Sequence, residues 1–225
     1  TRSVIAFRLI TALTGCITIE EQYVFKKNGS GTMTYIIDMT EMGEMIGGFT
    51  KDEDDKSLDN LSMGAHADAL KGLAGIGKVK LDTKTKWVQK VTFSFKDVDA
   101  LNRALNALMP DSLENNHRFF TWENGTLVRS SNSYMRSMSS TMMEGVEMGS
   151  DSAAVEEEGG FDLASMLSMM KYKYSFKFAK PIATTEAAEV MVKKTSGAKA
   201  VELSTDWSAI AKDPKALDLR IDFGH

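Results

Sequence analysis

Cysteine occurs once in this 225-residue chain, at Cys16. An intrachain disulfide is therefore impossible, and the fold must hold through core packing. Histidine is nearly as scarce: His66, His117 and His225 are the whole supply, and no two have the short helical spacing of a zinc site. Beyond the first sixteen residues, no apolar run approaches the roughly 20 residues that cross a bilayer as a helix. Positive charge is in the minority, with 27 Lys and Arg against 31 Asp and Glu, so the chain has no global electrostatic drive toward nucleic acid. No Gly-x-Ser-x-Gly elbow is present to carry a serine nucleophile.

Two ligand motifs come close and fail. Gly72, Gly77 and Lys78 have the spacing of a phosphate-binding loop, but Val79 stands where the magnesium-binding Ser or Thr belongs. That stretch also runs from a helix into a strand, the reverse of the order that aims helix-start amides at a phosphate. The acidic run from Asp52 to Asp59 would need glycine at Ser57 and glutamate at Met63 to form a calcium loop. It reads as a solvated connection. These failures lead to the expectation of a non-enzyme with no catalytic residue, metal or cofactor. A hidden acid–base pair, if one existed, would come from Asp52 to Asp59 or from Glu114 to His117.

What is present is an ordinary globular composition, 43% apolar and 26% charged, enough to bury a sizeable core. Glu20 to Lys26 and Gly31 to Asp38 read as strands around an Asn28-Gly29 turn, since both turn residues tolerate positive φ. Asp38 and Glu41 have the spacing of a capping box for a helix that Gly47 and Gly48 end. A second helical stretch spans Leu58 to Leu73. Val79 to Asp82 and Trp87 to Phe95 form another hairpin, and Asp97 opens a helix whose Val98, Leu101, Leu105 and Leu108 recur at helical spacing. The order strand–strand–helix is thus used twice. A third hairpin, Arg118 to Trp122 and Leu127 to Ser131, turns at Asn124-Gly125, and turn chemistry accounts for the glycosylation-like triplets at both Asn-Gly sites.

From Ser130 to Gly160 the pattern dissolves into serine, glycine and methionine. Eight of the 15 methionines lie between Met135 and Met170. Met135, Met138, Met142 and Met143 could converge on Cu(I), but no histidine or cysteine reinforces them, and an adaptable partner surface is the favoured reading. Order returns with a helix through Leu163, Met166, Leu167 and Met170. Then comes a strand that sets Tyr172, Tyr174, Phe176 and Phe178 on one face and Lys171, Lys173 and Lys177 on the other. Those three lysines are candidate contacts for anionic lipid. A hairpin around Ser196-Gly197, a short helix from Trp207 to Ala211 and a last strand from Leu217 to Phe223 complete an α+β fold. Its sheet is mostly antiparallel, built from β-hairpins in ββα units, with helices packed on one side.

The first residues carry an address. Arg2 and Arg8, a short apolar stretch and the run Leu13-Thr14-Gly15-Cys16 resemble a bacterial lipobox. That resemblance implies a diacylglycerol on the Cys16 sulfur, cleavage between Gly15 and Cys16, and a fatty acid such as palmitate on the new amino terminus. Two or three chains anchor firmly where one does not. The mature chain would hold 25 basic and 31 acidic residues. With Ile17-Thr18-Ile19-Glu20 and the Gly29-Ser30-Gly31-Thr32 hairpin, the chain is also similar to uncharacterised bacterial lipoproteins and, more loosely, to LppM-like domains. This resemblance implies an envelope domain suspected of binding lipid-like molecules, and it brings no catalytic residue. The familiar sorting rule, with Ile17 rather than Asp after the cysteine, favours the outer membrane over the inner.

The expected organisation is a removed signal over 1–15, the ββα-repeat part over 16–131, a Ser/Met/Gly-rich insert over 132–160 and a C-terminal part over 161–225 that completes the sheet. The expected function is binding or scaffolding at the periplasmic side of the cell envelope. Its partners are the membrane through lipidated Cys16 and a protein at the Met-rich insert. The alternative is a carrier of a hydrophobic ligand, which requires an apolar pocket between helices and sheet.

Overall fold

The computed structural model describes residues 17–49, 63–110, 116–134, 167–195, 197–213 and 215–224. Cys16, most of the 132–160 insert and the Asp52 to Asp59 run lie outside them. Strand β1, Thr18–Phe25, and strand β2, Gly31–Asp38, pair antiparallel across the Asn28-Gly29 turn. Asn28 Oδ1 accepts from the Ser30 amide and hydroxyl, and Gly29 sits at φ +77°. Gly31 is required by space: a Cβ there would lie 2.1 Å from the Val24 carbonyl oxygen. Helix α1, Thr40–Phe49, starts behind Asp38, whose carboxylate accepts from the Thr40 amide and hydroxyl. Within the expected second helical stretch, Leu58 to Leu73, helix α2 spans Gly64–Lys71, and residues 58–62 lie outside the described ones.

The second unit repeats the plan with β3, Ile76–Asp82, β4, Val88–Phe95, and helix α3, Val98–Leu108. Asp97 caps α3 by accepting from the Ala100 amide at 2.8 Å. The near-miss phosphate loop is a helix stop followed by a bulged strand, with Gly75 at φ +82° and Lys78 at φ +54°. Strand β7, Lys171–Phe178, joins the first hairpin, followed by β9, Val192–Thr195, and β10, Ala200–Asp206. Together they form an open seven-stranded sheet in the order β3-β4-β2-β1-β7-β10-β9, antiparallel except for the β1–β7 pair.

The C-terminal part does more than complete that sheet. β5, Phe120–Glu123, and β6, Thr126–Arg129, join β8, Thr184–Ala187, and β11, Leu219–Asp222, in a second antiparallel sheet of order β5-β6-β11-β8. The fold is α+β, as the sequence predicts, but its helices share the inner face of the large sheet with this smaller one. Helices α2 and α3 pack on the β3 and β4 side. The small sheet covers β1 and β7, where Phe120 meets Tyr23 edge-on and Trp122 meets Phe25 and Phe178. Helix α4, Trp207–Lys212, follows β10, capped by Asp206, with Trp207 buried.

Alternation decides which face is which. In β7, Tyr172, Tyr174, Phe176 and Phe178 are buried while Lys177 is exposed. The opposite face of the large sheet is open to water over much of its width.

Candidate functional site: a buried charge cluster and an outer cleft

Strand parity points two charged residues at the core. Glu21 shares the inward face of β1 with Ile19, Tyr23 and Phe25, and Arg129 shares that of β6 with Leu127; they are 0% and 1% exposed. They meet between the two sheets. Arg129 Nη2 donates to both Glu21 oxygens, at 3.0 and 3.1 Å, and Nη1 donates to Ser131 Oγ at 2.8 Å. The hydroxyls of Tyr23 and Tyr172 also donate to Glu21. The guanidinium lies 4.5 Å from the centre of the Tyr174 ring, a cation–π contact strengthened by the lack of water.

A buried carboxylate is costly unless paired and hydrogen-bonded, and here four donor contacts meet that need. Burial and the Glu21 carboxylate push the Tyr23, Tyr35 and Tyr172 hydroxyls well above their ordinary range. Burial does the same to Tyr174, although Arg129 pulls against it. For Arg129, burial is the largest single influence and works against the cation, but the Glu21 carboxylate and the rings of Tyr174, Tyr23 and Tyr172 together outweigh it, so the guanidinium is held more firmly charged than usual. Among the described residues, the buried Arg129 Nε has no hydrogen-bond partner. Sealed from solvent, this cluster can lock the two sheets in register. It offers a substrate no entry.

A site that a ligand can reach lies at another end of the molecule. A cleft of about 560 Å³ opens between the β1–β2 turn, the start of α3 and strand β5, with Lys27, Asp97, Asp99, Arg118 and Trp122 among its walls. Two asparagines build it. Asn102 Nδ2 donates to the Phe120 carbonyl and Asn102 Oδ1 accepts from the Phe120 amide, while Asn106 makes the same pair of bonds to His117. Spaced i,i+4 on one face of α3, they hold the chain entering β5 as a neighbouring strand would. Arg118 reaches Asp99 at 3.8 Å across the mouth. Trp122 is fixed by stacking on Phe223 at 5.2 Å. Cations and carboxylates beside the Phe120 and Trp122 rings suit a polar partner with both donors and acceptors.

The lysines singled out from the sequence share the open face, as parity requires. Lys171 pairs with Thr18 and Asp206, Lys173 with Glu20 and Ser204, and Lys177 with Val24 and Ala200. Acids therefore interleave with the bases. His66 Nδ1 faces the Ala107 carbonyl, and His117 lies edge-on to Phe119 beside Ser130. Among the described residues no group of three His, Cys, Asp or Glu is arranged to hold a metal ion, and no helix is long and apolar enough to cross a membrane. Gly15, Cys16 and the methionines from Met135 to Met143 are outside the described residues.

Sequence reading missed Glu21, Arg129, Asn102 and Asn106. The first two were signalled by parity, since each charge falls on the apolar side of an alternating strand. The asparagines were signalled by lying on the same stripe of α3 as the leucines.

No family model matches this chain, and no curated protein matches it. Among solved structures, the NMR structure of the folded domain of Mycobacterium tuberculosis LppM is similar over 100% of this chain and 97% of its own, at 9% sequence identity and a TM-score of 0.41. No residue role is carried over from it.

Proposed function

We propose that the chain is a lipoprotein domain of the bacterial cell envelope, fastened through acylated Cys16 and acting by binding or scaffolding rather than by catalysis. The supporting observation is the junction between motif and fold. The run Leu13-Thr14-Gly15-Cys16 ends one residue before Ile17, which is buried and whose carbonyl accepts from the Lys171 amide; β1 begins at Thr18. A secreted leader that stops where the first core residue begins leaves an anchored body and no spacer.

Binding is favoured over ligand carriage because the space a carrier would keep open is filled. Met33, Phe93, Leu101 and Leu105, between the large sheet and α3, are all 0% exposed. The cleft beside Arg118 and the Met-rich 132–160 stretch are the proposed contact surfaces for a partner. Ile17 after the cysteine favours outer-membrane delivery, with the body on the periplasmic side.

Fractionation of cells expressing the full chain tests this reading. The wild-type chain is expected in the detergent-soluble envelope fraction, and Cys16→Ser in the soluble fraction or uncleaved. A Cys16→Ser chain that is processed and sediments with membranes as the wild type does would contradict the anchor.

A further inference from the structure

We infer that the domain has a defined orientation on its membrane, with the β3–β4 turn, Lys84, Lys86 and Trp87, resting in an anionic headgroup layer beside the anchor. This rests on acylation of Cys16, and it follows from register. Thr18 pairs with Asp38, and Asp38 with Val88, so the β3–β4 turn lies level with the start of β1 and two strands to its side. At about 4.8 Å per strand that offset is about 10 Å. Lys171 pairs with Thr18 at the same level.

The turn is built to present its side chains. The Lys84 amide donates to Asp82 Oδ1, the Val88 amide to the Thr85 carbonyl, and the Met39 amide to the Trp87 carbonyl. Trp87 takes φ +65°, an uncommon conformation for a bulky residue. Its ring packs over Gly43 of α1 so closely that a Cβ there would come within 2.5 Å of it. Lys86 Nζ stands 5.2 Å from the ring centre, and Lys84, Thr85 and Lys86 are exposed. Met169, two residues before Lys171, is 38% exposed. The half-buried indole fixes the turn against the core, and the exposed Lys84 and Lys86 that it positions suit the boundary between anionic headgroups and water.

This geometry divides the three lysines of β7. Lys177 lies six residues beyond Lys171, about 20 Å up the strand, level with the β1–β2 turn and the cleft. Lys171 alone stands at the anchor, and the cleft faces away from the lipid.

Single introduced thiols read the orientation, because Cys16 is the chain's one natural cysteine. Full-length acylated protein carrying Thr85→Cys or Lys177→Cys is inserted into preformed phosphatidylglycerol–phosphatidylcholine vesicles, and its reaction with a water-soluble maleimide is compared with that of the same variant made soluble by Cys16→Ser. Thr85→Cys is expected to react about tenfold more slowly on vesicles, as the headgroup layer withdraws it from water, and Lys177→Cys at an unchanged rate. Thr85→Cys unslowed, or both positions slowed alike, overturns the orientation while leaving the anchor intact. Maleimide on Cys16 itself, found by peptide mass, overturns the anchor and the orientation with it.

Discussion

The two sides of the large sheet's inner face are covered by different materials. Under β3 and β4 the cover is helical and apolar, with Ala100, Leu101, Ala104 and Leu105 of α3 wholly buried. Under β1 and β7 it is a second sheet, and the seam holds a carboxylate, a guanidinium and the tyrosine hydroxyls of Tyr23, Tyr172 and Tyr174. The apolar side is stabilised by area removed from water and tolerates small shifts. The other side buries aromatic rings as well, but its charge network is favourable only while its donors and acceptors meet, so that network specifies register more strictly than it adds stability.

Substitutions sharpen the contrast. Glu21→Leu is expected to lose the most, about 3–5 kcal/mol in denaturant unfolding, because it strands the Arg129 charge in the core. Adding Arg129→Met should return much of that loss, the remainder being the stranded hydroxyls of Tyr23 and Tyr172. A double variant no more stable than the single one would contradict this view of the seam. On the apolar side, Leu101→Ala should cost about 3 kcal/mol, and no second substitution across the seam should restore it. Asn102→Ala, which strands the Phe120 amide and carbonyl, should cost about 2 kcal/mol and loosen β5, seen as faster amide exchange at Phe120. Asp97→Ala removes a helix cap and should cost about 1 kcal/mol, measured in the same unfolding experiment.

Alkali tests the seam as a whole. All five tyrosines, Tyr23, Tyr35, Tyr134, Tyr172 and Tyr174, have raised folded-state values, with burial the first cause. The unfolded chain therefore releases these protons first as pH rises. The tyrosines' contribution is full below their ordinary value of about 10 and is lost as pH climbs from there toward the raised folded value. Tyrosinate absorbance should rise late and together with unfolding; a gradual rise at ordinary values in the folded protein would contradict the burial.

Much of the fold was legible because strand parity and helical period are local. The β7 alternation from Tyr172 to Phe178, the Asn28-Gly29 turn and the leucines of α3 each announce their element within one window. The second sheet was not legible as a sheet. Its strands are four residues long, too short for alternation to count, and β6 pairs with β11 through Thr126 and Asp222, far apart in sequence. The β1–β7 parallel pair escaped for the same reason. The cluster was half legible: parity shows Glu21 and Arg129 facing inward, but nothing in the sequence shows that they meet. The cleft was hidden because its walls come from three separated segments joined by the Asn102 and Asn106 side chains.

Intact mass of the protein extracted from native envelopes with detergent is the most direct measurement. The account predicts a chain beginning at Cys16 and heavier than its residues by a diacylglycerol group, with or without a further acyl chain. A free thiol at Cys16 in a chain that still carries residues 1–15 would contradict it.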